Sequence, residues 1–184
     1  MTTILIHATA MKVYTDSRAT ISPNRSWVQT YLNAHLGEDV STIDDNFTKM
    51  WRLDNNSIVV GCGDADVVKG AYNEMNEKQT TILSKPFTKD NTTVYVVKKS
   101  IDDKGIIRVI EFKNAYKKVF KFFNKRYLSM KIHHLKENQW ITAGSGGDYL
   151  AGALQSGSMI DIGFKSVYHF DKFSGGEIKS LDIL

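Results

Sequence analysis

The sequence predicts a single α+β domain in which sheets pack on each other and helices lie outside them. Three observations lead to this prediction. Apolar segments of strand length recur along the chain, the elements follow the order two strands, helix, several strands, two helices, strand, and no internal repeat or low-complexity linker interrupts the 184 residues. A chain of this length suits one domain with a substantial buried core.

The first 45 residues predict two strands, a helix and a loop. Residues 3–9 and 11–15 alternate apolar and polar positions, which predicts two strands joined by a tight turn. In residues 25–36 apolar side chains recur at helical intervals, and Gly37 follows as a helix C-cap. The acidic stretch EDVSTIDD that comes next is predicted as a loop.

The rest of the chain predicts further strands and helices, with two consecutive helices before a final strand. FTKMWRLDNNSIVVGCGDADVVKG predicts a strand, an Asn-Asn turn, a buried strand, a glycine-rich corner and a helix that begins near Asp64. TTVYVVKKSIDDKGIIRVIEF predicts a β-hairpin around residues 103–105. NQWITAGSGGDYLAGAL is a short strand leading into a helix, MIDIGFKSVYHF is one more helix, and GEIKSLDIL is a final strand.

A basic segment runs from Lys113 to Lys136, with eight Lys or Arg residues and no acid. We favour an amphipathic helix here, because Tyr116, Phe120 and Phe123 lie at helical spacing and would form its buried face. The alternative is a nucleic-acid-binding surface, in which aromatic side chains stack on bases and basic ones neutralise phosphates. The basic residues for that role are Lys117, Lys118, Lys121, Lys125 and Arg126.

The composition limits the compartment and the chemistry. The sequence has no secretory-signal pattern and no apolar run of membrane-spanning length, so we predict a soluble cytoplasmic protein. The single cysteine, Cys62, excludes an internal disulfide and a cysteine-rich zinc site. The five histidines lack the His-Glu-x-x-His spacing of a zinc protease. Neither kind of zinc site is therefore expected. We also expect no other metal and no organic cofactor.

The sequence begins with Met-Thr-Thr, followed by an apolar strand. A threonine hydroxyl is a weak nucleophile unless a base lies beside it, and a chain's own terminal amine can be that base. Removal of Met1 would give Thr2 a free terminal amine beside its own hydroxyl. Thr2 is therefore a candidate catalyst rather than a surface residue.

Five further motifs follow Thr2 in a definite order, and each is weak by itself. They are TDSRAT, the lysine-containing strand FTKMWRLDNNSIVVG, the corner GCGDAD, the turn ITAGSGGDYLAGAL and the loop DKFSGG. Their joint occurrence, together with TTILIHA at the start, resembles the proteasome β subunits and their bacterial relative HslV, which are N-terminal-nucleophile threonine hydrolases. The resemblance covers about residues 2–20, 46–72 and 139–180.

The resemblance implies a role for each matched residue. The implied catalytic residues are Thr2, Asp16, Lys49, Ser145, Asp171 and Ser174. Gly175 matches the first glycine after that serine, Ala19 and Thr20 match the substrate-binding strand, and Gly61 matches the glycine whose backbone N–H forms the oxyanion hole.

The chemistry of this set is coherent. The Lys49 ammonium would lower the pKa of the Thr2 amine by like-charge repulsion, and Asp16 would orient Lys49 and keep it charged. Ser145, Asp171 and Ser174 would hydrogen-bond the amine. Taken singly, each residue also has a structural interpretation: Asp16 and Lys49 as a surface ion pair, Ser145 as a helix cap, and Asp171 as the last polar residue of a helix.

The same resemblance implies a four-layer α-β-β-α sandwich of the N-terminal-nucleophile type, with residues 21–45 as an insertion. It also implies a homo-oligomeric ring that encloses the active sites, a peptide or unfolded-protein substrate, and an ATPase unfoldase as a partner. Two alternatives stay open. One is a catalytically inactive structural subunit that retains Met1, and the other is the basic nucleic-acid-binding module described above.

Overall fold

The computed structural model describes residues 2–21, 42–100, 105–120 and 123–184. The strands in this part of the chain are β1 (Thr3–His7), β2 (Lys12–Asp16), β3 (Ala19–Ile21), β4 (Thr42–Asp44), β5 (Met50–Arg52), β6 (Ile58–Cys62), β7 (Thr93–Lys99), β8 (Ile107–Phe120), β9 (Phe123–Leu135), β10 (Trp140–Gly144) and β11 (Ile178–Asp182). The helices in it are α1 (Ala65–Glu77), α2 (Gly147–Gln155) and α3 (Ile160–Phe170). None of these helices is long and apolar enough to cross a membrane.

The strands form two antiparallel sheets and a short separate pair. The first sheet has the order β10-β1-β2-β11 and the second has the order β5-β6-β7-β8-β9, while β3 pairs only with β4. The predicted α+β class is therefore confirmed at the level of two antiparallel sheets with helices. The predicted hairpin is also confirmed, because β7 and β8 pair from Thr93 opposite Lys113 to Lys99 opposite Ile107.

Three apolar clusters explain why these strands are so hydrophobic. One includes Ile4, Ile6, Val60 and Val109, which come from both sheets. In a strand, successive side chains point to opposite faces, so the other faces of the same strands must be covered as well. Helices cover these outer faces of the two sheets. Leu5 packs with residues of α2 and α3, and the outward residues of the second sheet pack with those of α1.

Helix α1 begins where the sequence predicts. The Asp64 carboxylate accepts hydrogen bonds from the backbone N–H groups of Asp66 and Val67, at 3.1 Å each, and so caps the first turn. This fixes the helix directly after β6. The contact is close: a β-carbon at Gly61 would lie 2.7 Å from both methyl groups of Val68.

The prediction of a helix in residues 113–136 is wrong. Residues 113–120 and 123–135 belong to β8 and β9, which pair along almost the whole length of these two strands, and Tyr116 is 49% exposed instead of buried. The reason is that residues 107–113 already pair with β7, and no glycine or proline stops the strand between residues 106 and 143. Strand pairing therefore continues outward into a long hairpin.

The predicted acidic loop is also partly wrong. Its last residues form β4, which pairs with β3 from Ala19 opposite Asp44 to Ile21 opposite Thr42. The predicted helix of residues 25–36, its C-cap Gly37 and the first two turn residues of the hairpin, 103 and 104, lie outside the described residues.

Candidate active site

A cavity of about 1030 Å³ brings together residues that are far apart in the sequence. Its wall includes Thr2, Lys49, Gly61 and Ser145. These residues lie directly before β1, directly before β5, near the end of β6 and in the turn after β10. The volume is at the upper end of the range for small-molecule pockets in proteins.

Thr2 is held against the turn that follows β10. Gly144 pairs with Thr3 across the sheet and has a φ of 86°, a backbone conformation that favours glycine. A β-carbon at Gly144 would lie 1.6 Å from the Thr2 carbonyl oxygen. Any other residue at position 144 would therefore displace Thr2, which explains why the Gly-Ser-Gly-Gly turn begins with glycine.

Asp16 and Lys49 form a buried ion pair beside Thr2. The Lys49 ammonium lies 3.0 Å from Asp16 Oδ1, and the two side chains are 5% and 0% exposed. Lys49 also donates a hydrogen bond to the Arg18 carbonyl. The alternative of a surface ion pair is therefore wrong.

Backbone donors complete the surroundings of the Asp16 carboxylate. The Thr3 N–H donates to Oδ1 at 2.9 Å, and the Gly175 N–H donates to Oδ2 at 3.0 Å. Burial raises the pKa of the Asp16 carboxyl, and the Lys49 charge and these two N–H groups oppose that shift. Burial lowers the pKa of the Lys49 ammonium. The Asp16 carboxylate opposes this shift of the Lys49 pKa and favours the charged ammonium.

Ser145, Asp171 and Ser174, three of the residues that the sequence motifs identify, form a second cluster. The Ser145 hydroxyl donates to Asp171 Oδ2, and the Ser174 hydroxyl donates to the same oxygen at 2.7 Å. Ser145 does not cap α2, because the residue at the cap position is Gly146 and no side chain bonds the first turn. Burial alone would raise the pKa of the Asp171 carboxyl, but the pKa is lowered because the hydrogen bonds from the two serines, together with one from the Phe173 backbone N–H, oppose the effect of burial.

Thr3 connects the two clusters, and the sequence analysis did not identify it. Its backbone N–H binds Asp16, and its hydroxyl lies 2.6 Å from the Ser174 hydroxyl oxygen. Since Ser174 donates its proton to Asp171, Thr3 is the donor in this contact. A signal was present in the sequence: Thr3 lies two residues before Leu5, so its side chain points to the helix-covered face of the sheet.

Glycines also fix the distances within this network. A β-carbon at Gly146 would lie 2.2 Å from the Thr3 hydroxyl oxygen, and one at Gly175 would lie 2.5 Å from the guanidinium carbon of Arg18. Arg18 in turn binds the Asp45 carboxylate through two nitrogens, at 2.7 and 3.2 Å. Arg18 and Asp45 were not predicted, and they tie the end of β2 to the segment before β5.

The predicted substrate-binding residues are only partly placed. Gly61 lines the cavity, and no side chain would fit there because of Val68 and the Thr93 carbonyl, at 2.7 and 2.9 Å. Ala19 and Thr20 lie in β3, and their side chains are outside the described part of the chain. The wall also includes side chains that were not predicted, among them Trp51, Cys62, Asp66 and Asp90.

Within residues 2–21, 42–100, 105–120 and 123–184, no three His, Cys, Asp or Glu side chains group closely enough to hold a metal ion. The cavity contains Cys62, the sole cysteine of the chain. Burial raises the pKa of its thiol, which favours the neutral form and makes it a poor nucleophile. Of the polar residues in the cavity wall, Thr2, Lys49 and Ser145 are those that the sequence motifs identify.

Comparison with known proteins supports the fold. No protein-family model matches the sequence, and no curated protein matches it. Among solved structures, the chain is similar to the crystal structure of eukaryotic HslV from Trypanosoma brucei, with a TM-score of 0.51 and 12% sequence identity. The alignment covers 98% of this chain and 99% of that one. The resemblance to the HslV and proteasome family is thus confirmed for the fold.

Proposed function

We propose that the protein is a threonine-type peptidase or amidohydrolase in which Thr2 is the nucleophile. The observation that supports this most is the convergence of Thr2, Lys49, Gly61 and Ser145 on one cavity. The buried Asp16 and Asp171 carboxylates bind Lys49 and Ser145, respectively. A general protease fold of the HslV type agrees with this chemistry. Removal of Met1 completes the site, because only a free Thr2 amine can act as the base.

The reaction has two stages. In the first, the Thr2 hydroxyl oxygen attacks the scissile carbonyl carbon while its proton passes to the Thr2 amine, directly or through one water. Collapse of the tetrahedral intermediate transfers that proton to the leaving amine and leaves an ester on Thr2. In the second, water attacks the ester carbonyl and releases the acid, and the hydroxyl regains its proton.

Each neighbouring group has a role in this scheme. The Lys49 ammonium, held by Asp16 at 3.0 Å, favours the developing alkoxide on Thr2. It also disfavours protonation of the Thr2 amine. The backbone N–H of Gly61 stabilises the oxyanion, a contribution of about 3 kcal/mol when one such donor is lost. Ser145, fixed by its bond to Asp171, orients the amine.

The finer properties of the family are part of the same proposal. The helix-covered outer faces of the two sheets suit a four-layer α-β-β-α arrangement. From the HslV-type fold we infer a homo-oligomeric ring. Such a ring closes when heterologous contacts between copies have a suitable rotation. We also infer a peptide or unfolded-protein substrate that an ATPase unfoldase delivers, and a cytoplasmic location.

The deciding experiment is intact-mass spectrometry before and after incubation with a peptide epoxyketone directed at terminal threonines. We expect the mass of a chain without Met1 and one covalent inhibitor per chain, together with peptide hydrolysis. Thr2→Ala should abolish both adduct and hydrolysis while the melting temperature is retained, and Thr2→Ser should retain the adduct. A further control adds residues before Thr2, which blocks the amine. A retained Met1 without adduct would replace this proposal with the structural-subunit alternative.

A further inference from the structure

The hairpin of β8 and β9 extends beyond the sheet that carries it. Strand β7 pairs with β8 only as far as Lys113, so residues 114–120 and 123–128 pair with each other and with no other described strand. We call these residues the distal ribbon. At about 3.4 Å per residue, its seven-residue strand is roughly 20 Å long.

The two faces of the distal ribbon differ. On one face, the Asn114 amide binds the backbone of Phe87 through two hydrogen bonds, at 2.8 and 2.9 Å. On the same face Arg126 binds Asp90 at 3.2 Å. The loop of residues 87–90 thus braces this face and neutralises its arginine. These contacts hold the base of the ribbon on the body of the protein.

The opposite face is basic and open. It belongs to the odd-numbered residues of β8, the set that includes Val109 of the core between the sheets. Its exposed side chains beyond the core are Lys113, Lys117, Lys125, Tyr127 and Lys131. Lys113 binds Glu111 at 3.3 Å. The other three lysines have no hydrogen bond or ion pair to any described residue.

Lys117 and Lys125 are directly opposite each other in the ladder. Like charges at such a cross-strand pair destabilise a sheet, because the two β-carbons are only about 5 Å apart. A local arrangement that costs stability is a marker of function, and the repulsion would be relieved by a bound polyanion. Tyr127 lies beside Lys125 on the same face and is 47% exposed.

We propose that this face binds the phosphate backbone of double-stranded DNA, with the ribbon in the major groove. A two-stranded β-ribbon fits the groove, which is about 12 Å wide, whereas the major groove of duplex RNA is too narrow. An acidic peptide fits less well. If it added to the edge of β9, its alternate side chains would point away from the lysine face.

The test is the fluorescence anisotropy of a labelled 20-base-pair DNA duplex titrated with the whole protein at several salt concentrations. Three unpaired lysines predict a slope of log K against log salt of about −2.7. Lys117→Gln with Lys125→Gln should reduce the slope to about −0.9 and weaken binding roughly 60-fold at 0.1 M salt. Neither residue belongs to the site around Thr2, so peptide hydrolysis should be unchanged.

Two controls make the result specific. Lys69→Gln with Lys165→Gln changes the net charge equally on exposed helix positions and should leave the DNA affinity unchanged. An RNA duplex of the same length and sequence should bind at least tenfold more weakly than the DNA duplex. Absence of DNA binding at 50 mM salt, equal weakening by both double variants, or equal affinity for RNA would overturn the proposal. If polyglutamate bound as tightly as the DNA duplex, the DNA proposal would be replaced by one in which this face binds an acidic protein segment.

Discussion

Lys49 and Lys117 carry the same side chain, but one is buried in the protein and the other is exposed on its surface. Lys49 is buried, with the Asp16 carboxylate at 3.0 Å and a backbone carbonyl as a further acceptor. Lys117 is exposed on a ribbon and lies opposite another lysine. The difference teaches that a charge inside the protein is tolerated only with partners in place, whereas a charge on the surface can remain without one.

The largest expected effect is at the buried pair. Lys49→Ala leaves the Asp16 carboxylate buried without its cation, so we expect the free energy of unfolding to fall by about 3–5 kcal/mol and peptide hydrolysis to be lost. Urea denaturation measures the first quantity. The matched control is Lys12→Ala, which breaks an exposed pair with Asp182 at 3.4 Å and should cost less than about 1 kcal/mol. Equal costs would contradict the contrast between the two environments.

The next effect is at the turn behind Thr2. In Gly144→Ala the new methyl group would coincide with the Thr2 carbonyl, so Thr2 must move. A displacement of about 1 Å lowers kcat/KM roughly 100-fold. Gly152→Ala is the control: this glycine lies in α2 with no neighbour within 4 Å, and the change should stabilise the helix by about 0.5–1 kcal/mol. Full activity of Gly144→Ala would contradict a catalytic role for Thr2.

A third effect depends on pH and concerns Asp171. Its folded-state pKa is below the ordinary value of 3.8, because hydrogen bonds from Ser145, Ser174 and the Phe173 backbone N–H favour the carboxylate against the effect of burial. The carboxylate therefore adds stability above pH 3.8, and this stability is lost as the pH falls through the folded-state pKa. The difference in unfolding free energy between the wild type and Asp171→Asn should be constant from pH 5 to 7 and should shrink below pH 3.8. A difference that grows toward low pH would refute this sign.

The smallest effect is on the distal ribbon in the absence of a ligand. Lys117→Gln with Lys125→Gln removes the repulsion of a cross-strand pair and should raise the free energy of unfolding by about 0.2–1 kcal/mol. Thermal and urea denaturation both measure this change. A loss of stability would mean that the two lysines support the ribbon, in contrast to the interpretation given above.

Sequence patterns predicted the elements that have a buried face or a local cap. Strands β1 and β6 are short apolar runs, and α1 begins beside a capping aspartate, so their signals are local. The distal ribbon was missed because neither of its faces is buried in an apolar core. Its residues therefore lack an apolar alternation, and three aromatic residues at helical spacing suggested a helix instead.

The site was predictable to a similar degree. Thr2, Lys49 and Ser145 were proposed from motifs, and the structure places all three on one cavity. Thr3 was missed, since a hydroxyl that acts through Ser174 leaves no motif of its own. The direct contact between Asp16 and Lys49 was expected, but its near-complete burial depends on how β2, β5 and the loop before β11 pack together.

The sequence by itself determined the strands with buried faces and the capped helix, because these depend on neighbours within a few positions. It also contains the ordered polar motifs whose roles the family resemblance implies. Only the tertiary structure decided that Gly144 must be glycine, that Thr3 connects the Asp16 and Asp171 clusters, and that the lysines of the distal ribbon share one open face. Each of these depends on atoms brought together from distant parts of the chain, and such contacts leave no period or spacing in the sequence.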